Sequence, residues 1–254
     1  MVIADIQSFL SSIYRSSPVS DPASSSTPGP APPVFLMGHS MGGAEVLYYM
    51  LKSSPLPSSS NTSSASASLP LPPIRGILAY SPLVALHPTS RPMALTVVIG
   101  KLAAKVLPHY QVVQHLEPSL MCRDKKVCEE WDNDPLCHDT MTLEGFAGML
   151  DRGAWLDHLK PGAGRTDGEA PAVWVCHGTA DQVNSFEASR RFVDCLAVRD
   201  KTLKAYEGGY HKLHMEPDGI KEALVKDVAE WVLARCSHPG TTDGRERERS
   251  KAKL

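Results

Sequence analysis

No apolar run in this sequence reaches the roughly 20 residues that a helix needs to cross a bilayer. The first ten residues include Asp5 and carry no basic segment ahead of an apolar one, so no secretory leader is expected. Neither sign of charge dominates: 26 Lys and Arg stand against 28 Asp and Glu, a net charge of −2. That balance offers no electrostatic pull toward nucleic acid. The one dense charge run, Arg245-Glu246-Arg247-Glu248-Arg249, alternates in sign and reads as part of a solvated, disordered tail over 237–254. The six cysteines (Cys122, Cys128, Cys137, Cys176, Cys195, Cys236) follow no repeated spacing. A disulfide framework is therefore not expected, and a reducing, cytoplasmic compartment is. Cys176 in an apolar strand-like run and Cys195 on a helix-like stretch read as small core residues. What remains is an ordinary globular composition, 42% hydrophobic over 254 residues. That is enough for one sizeable domain, with or without an inserted subdomain.

The most informative local pattern is Gly38-His39-Ser40-Met41-Gly42. It follows the apolar run Val34-Phe35-Leu36-Met37 and precedes Gly43-Ala44-Glu45-Val46-Leu47-Tyr48-Tyr49-Met50-Leu51, which reads as a helix. Strand, sharp turn and helix are the context in which G-x-S-x-G forms a nucleophile elbow. A serine on so tight a turn holds a strained backbone, and Gly38 and Gly42 are expected to let strand and helix approach.

Along the chain, residues 1–13 place Val2, Ile3, Ile6, Phe9 and Leu10 at helical spacing. Residues 16–33 and 53–73 are Ser/Pro-rich and read as loops. Strands are predicted at 34–38, 74–80, 172–176 and 202–206, and helices at 42–52, 185–197 and 219–235. Residues 161–170 form a Gly-rich polar loop, and residues 83–158 carry no strand signal. Alternating strands and helices imply an α/β fold with a mostly parallel sheet flanked by helices. The stretch 83–158 then becomes a helical insertion between an N-terminal core part, 1–82, and a C-terminal core part, 159–236. Within the insertion, Met93 to Leu107 is apolar and helical, interrupted by Lys101 and Lys105 on one face. Such a helix either lies on a lipid surface or packs into the core.

A serine hydroxyl needs a base within hydrogen-bond reach, and the base needs an orienting carboxylate. Behind an elbow of this kind the partners follow in the order Ser, Asp or Glu, His. Asp181 falls in the turn after strand 172–176, and His211 in the turn after strand 202–206. In parallel sheets catalytic groups gather at such carboxyl ends. His214, three residues further on, is the fallback base. His177 and His39 read as packed or hydrogen-bonded residues, and Asp167 and Asp200 as solvated charges. The Met41 N–H, directly after Ser40, is the expected oxyanion donor.

Five blocks in order, Gly38-His39-Ser40-Met41-Gly42-Gly43, Ser81-Pro82-Leu83, Asn133-Asp134-Pro135-Leu136, His177-Gly178-Thr179-Ala180-Asp181 and Lys201 to His211, closely resemble the monoacylglycerol lipases of the α/β-hydrolase superfamily. The resemblance covers nearly all of residues 1–235 outside the two Ser/Pro-rich loops. It implies Ser40 as nucleophile, Asp181 as acid and His211 as base. It also implies a cap over 83–158 that lines an acyl tunnel and meets membrane or lipid-droplet surfaces. The implied reaction is hydrolysis of monoacylglycerol to fatty acid and glycerol, with no metal or cofactor. Lysophospholipase, short-ester esterase or aminopeptidase-like activity keeps the same residues with another substrate, and a catalytically impaired, lipid-binding relative is the further alternative.

The family's elbow follows several strands and a His-Gly loop that carries the second oxyanion donor. Here 39 residues precede Ser40, and they read as a helix and a Pro/Ser loop. An N-terminally incomplete sheet is therefore expected, with strand 34–38 short of a neighbour and prone to aggregate or pair with another chain. Loss of one oxyanion donor costs about 10²–10³ in turnover. The chain alone is thus expected to be poorly soluble or nearly inactive, and activity equal to that of an N-terminally extended chain would refute this.

Overall fold

The computed structural model describes residues 2–16, 32–53, 74–164 and 170–236. Most of the two Ser/Pro-rich loops, part of the 161–170 loop including Asp167, and the 237–254 tail lie outside the described residues. The chain runs through α1 (Val2–Ser16), β1 (Val34–His39), α2 (Met41–Ser53) and β2 (Ile74–Tyr80). An inserted segment follows, with α3 (Ala94–Val106), β3 (Gln111–Val113), α4 (Lys125–Asp132), β4 (Thr140–Thr142) and α5 (Leu143–Asp157). It returns through β5 (Ala172–Gly178), α6 (Phe186–Cys195), β6 (Lys201–Tyr206) and α7 (Ile220–Cys236).

The main sheet has the order β1-β2-β5-β6, and every pairing is parallel. Its period-two alternation sorts side chains between two cores. Ile77, Ala79, Val173 and Val175 meet Leu47, Leu156 and Phe192 from α2, α5 and α6 on one face. Leu78, Trp174 and Cys176 meet Tyr206, Leu224 and Trp231 on the other, which α7 covers. β5 is buried at all seven positions, as a central strand apolar on both faces must be. β1 is different. Among the described residues it pairs with β2 alone and is nowhere fully buried. Met37 on β1 is 49% exposed.

The inserted segment departs from the expectation of a strand-free stretch. β3 and β4 pair antiparallel, with Val112 opposite Met141. Three residues per strand are too few for alternation to register in the sequence. Two of its helices, α4 and α5, start where side chains supply caps: Asp124 accepts from Lys126 N–H at 2.9 Å, and Thr142 Oγ1 accepts from Gly145 N–H at 3.1 Å. All six cysteines are free; Cys176 is buried, whereas Cys195 is only half-buried rather than a core residue, because it closes α6 at the protein surface.

Candidate active site

Ser40 stands between β1 and α2 with φ 53°, a left-handed conformation that a serine holds only when its surroundings impose it. Those surroundings are explicit. Ser40 N–H donates to Tyr80 O at 3.1 Å, and Ser40 O accepts from Ala44 N–H at 3.2 Å and Leu83 N–H at 2.9 Å. A Cβ on Gly38 would lie 2.2 Å from Gly42 O, so glycine is required there. The expectation for Gly42 is corrected: a Cβ on it meets nothing within 4 Å. It is Gly43 whose Cβ would crowd Pro82 Cβ at 3.0 Å and Gly38 O at 3.1 Å. What Gly42 contributes is backbone placed against Gly38, and Gly43 lets the helix approach the end of β2.

The two turns bearing Asp181 and His211 are pressed together in the same way. A Cβ on Gly178 would lie 2.1 Å from Gly209 O, and Ala180 N–H donates to Gly209 O at 3.1 Å. This brings Ser40, His211 and Asp181 into one line although they are far apart in sequence. His211 Nδ1 lies 2.8 Å from Asp181 Oδ2, and His211 Nε2 lies 3.0 Å from Ser40 Oγ. A carboxylate can only accept from Nδ1–H. That assignment leaves Nε2 as the acceptor for the serine O–H.

Asp181 is deeply buried, which by itself disfavours its charge. Burial is opposed by hydrogen bonds from His177 and His211, and the balance holds the carboxyl well below the usual carboxylate range. Its Oδ1 also accepts from Val183 N–H at 2.8 Å and Asn184 N–H at 3.0 Å. Asn184 Nδ2–H donates to Ser81 O at 2.8 Å and ties this turn to the end of β2.

The other histidines beside the site make different contacts. His177 is fully buried, with Nε2 3.0 Å from Asp181 Oδ2 and Nδ1 2.9 Å from Ser189 Oγ. His39 Nε2 donates to His211 O at 3.1 Å, and its ring stacks on Tyr80 at 4.6 Å. Burial first, then the neighbouring His211 and His214 imidazoles, lower His39 to about 3, so it stays neutral. His214 sits edge-on to His39 and Tyr80, and its buried Nδ1 has no hydrogen-bond partner. The structure thus gives the contacts of a base to His211 and not to His214. Asp200 pairs with Arg235 at 2.6 Å on the surface, away from this site.

Met41 opens α2, where the first N–H groups have no partner inside the helix and the dipole favours negative charge. Among the described residues β1 is the first strand. A cavity of about 260 Å³ is lined by Leu83, Val84, Val97 and Leu150 together with Arg91, Lys101, Asp157 and His158, and none of Ser40, Asp181 or His211 lines it. Three groups escaped the sequence reading: Asn184, Arg123 and Glu216. Asn184 had a signal, an amide three residues past Asp181 in a turn. Arg123 and Glu216, 93 residues apart, had none.

Residues 2–218 match the family described as Serine aminopeptidase, S33. The chain is 30% identical over 216 residues to a Schizosaccharomyces pombe protein that carries the provisional name monoglyceride lipase, covering 85% of this chain and 51% of that protein. It is 28% identical over 212 residues to the monoglyceride lipase of Rattus norvegicus, covering 83% and 62% of the two chains. The chain therefore spans less than two thirds of the length of these relatives. Among solved structures, a soluble variant of Saccharomyces cerevisiae monoglyceride lipase in complex with a substrate analogue superposes with a TM-score of 0.70 at 22% identity, covering 93% of this chain and 70% of that one. The monoacylglycerol lipase of Paleococcus ferrophilus gives 0.68 at 23%, covering 92% and 74%. The fold is that of an α/β-hydrolase.

Proposed function

Given that the chain belongs to the serine aminopeptidase S33 family of α/β-hydrolases, we propose that it is a serine ester hydrolase acting on monoacylglycerol. The observation that carries this reading is the hydrogen-bonded line from Asp181 through His211 to Ser40, with Ser40 lifted on a left-handed turn. Ser40 Oγ attacks the ester carbonyl while His211 Nε2 takes its proton, and Asp181 stabilises the imidazolium through Nδ1–H. The oxyanion forms against the Met41 N–H at the start of α2. Collapse expels glycerol, which takes the proton from His211 and leaves an acyl-serine. Water, deprotonated by His211, then releases the fatty acid and restores Ser40.

What favours an acyl chain over a peptide is α3. Leu95, Val98, Ile99, Leu102 and Val106 are exposed, so its apolar face is turned to solvent and not to the core. The inserted segment acts as a cap whose α3 rests on membrane or lipid-droplet surfaces. No helix among the described residues is long and apolar enough to cross a membrane. The names of the relatives, monoglyceride lipases, support the same substrate.

The test is labelling of the whole chain by a fluorophosphonate probe, with Ser40→Ala as the comparison. Labelling that persists in Ser40→Ala would sink the assignment. Turnover of monoacylglycerol, lysophospholipid, short esters and peptide amides then ranks the substrates. A second reading, a relative that binds lipid with little turnover, rests on Met41 N–H at the start of α2 being the one oxyanion donor assigned among the described residues. Labelling without turnover of any ester would select it.

A further inference from the structure

Three consecutive residues of the inserted segment grip the turn that follows His211. Lys212 N–H, next to the base, donates to Met121 O at 2.7 Å. Cys122 Sγ donates to Met215 O at 3.3 Å. Arg123 closes on Glu216 twice, through its backbone N–H to Oε1 at 2.9 Å and through Nε to Oε2 at 2.7 Å. The Glu216 side chain is wholly buried, while Arg123 is partly exposed and also reaches Asp218 Oδ2 at 3.1 Å. Met121 and Cys122 are buried against the same turn, and Leu213 within it is fully buried.

A buried carboxylate is tolerated only when it is paired and hydrogen-bonded. Glu216 gains nothing from solvent, so its place depends on Arg123. The turn from His211 to Glu216 is thereby fixed at both ends. Gly209 is pinned against the Asp181 turn, and Lys212, Met215 and Glu216 are pinned to the inserted segment. His211 stands between these anchors. We propose that Arg123 and Glu216 are positioning residues, holding His211 on its line to Ser40 by fastening the inserted segment to the turn behind the base. A displacement of about 1 Å at a catalytic group costs on the order of 10²-fold in rate, which is the scale of effect such a brace controls. The proposal rests on the reading of His211 as the general base.

The experiment uses the full chain and its Arg123→Gln, Arg123→Lys, Glu216→Gln, Asp218→Asn and His211→Ala variants. Fluorophosphonate labelling rates and hydrolysis of a soluble p-nitrophenyl ester are followed at a neutral pH at which each variant stays folded, with near-ultraviolet circular dichroism as the check. Arg123→Gln and Glu216→Gln are expected to lower kcat about 10²-fold with KM little changed. Arg123→Lys should recover part of the loss, and Asp218→Asn, at the exposed rim, should match the wild type. Wild-type kcat in folded Arg123→Gln and Glu216→Gln would overturn the brace. So would a loss that appears only in KM, or one that only tracks the unfolded fraction. If His211→Ala labels at the wild-type rate, the general-base reading itself fails. If His211→Ala is silent while the Arg123 and Glu216 variants behave as wild type, only the brace fails.

Discussion

His177 and His211 converge on the same atom: Asp181 Oδ2 lies 3.0 Å from His177 Nε2 and 2.8 Å from His211 Nδ1. His177 also faces Asn184 O at 3.3 Å through Nε2, so both neighbours of that nitrogen are acceptors and it carries the proton. Nδ1 is then left to accept from the Ser189 hydroxyl. The orientation of Asp181 is thus set from behind as well as by the base. His177→Leu is expected to lose about 2 kcal/mol of stability, the scale of one hydrogen bond to a charged group. His177→Gln, which keeps an amide donor, should lose less. Urea unfolding at neutral pH checks this, and equal stability of all three proteins would contradict it.

The elbow makes contrasting demands on two glycines of one pentapeptide. Gly38→Ala would drive a methyl into the Gly42 carbonyl, where backbone cannot yield, and is expected to abolish soluble expression or probe labelling. Gly42→Ala in this chain meets open space on a helix, where alanine is favoured by up to about 1 kcal/mol. It should label normally and melt no lower than the wild type. Labelling of Gly38→Ala at the wild-type rate would show that the turn is not packed as described.

His39 links stability to pH. Its folded value is about 3 against an ordinary value of 6.5, so the unfolded chain binds a proton that the folded chain refuses. Stability rises with pH wherever the unfolded state holds more protons. The contribution of His39 is therefore fully present above about 6.5 and is lost progressively as pH falls from there toward 3. His39→Gln, which keeps a donor for His211 O, should show a flatter fall in melting temperature across that window. A parallel fall in both proteins would exclude His39 as the cause.

The docking face proposed on α3 predicts different behaviour at a lipid surface and in solution. Leu95 and Ile99 are 69% and 57% exposed and touch no part of the hydrogen-bonded line at Ser40. Burying one such side chain in an apolar medium is worth about 1.5–3 kcal/mol. Leu95→Glu and Ile99→Glu should each weaken binding to phospholipid vesicles roughly tenfold or more. Hydrolysis of vesicle-borne monoacylglycerol should fall with it, and turnover of a soluble short ester should stay as it is. Flotation with vesicles and paired substrate assays measure the two effects, and unchanged flotation would remove α3 as a docking face.

The elbow, the four parallel strands and the order of Ser40, Asp181 and His211 were legible in the sequence because each is a local pattern. Apolar runs of five to seven residues, a G-x-S-x-G turn and charged residues just past strand ends need no knowledge of distant contacts. Three other features depended on which surfaces meet in space. Both faces of α3 are apolar enough in sequence to suit a core or a lipid surface, and only packing left Leu95, Ile99 and Val106 outside. Gly42 and Gly43 are identical in composition, and only the approach of Pro82 and the Gly38 carbonyl to Gly43 distinguishes them. Glu216 reads as one more surface carboxylate until Arg123 arrives from 93 residues away and makes its burial affordable. Local stereochemistry wrote the elements and the serine of the elbow into the chain. Desolvation and close packing between distant segments decided what holds Asp181 and His211 in line with Ser40.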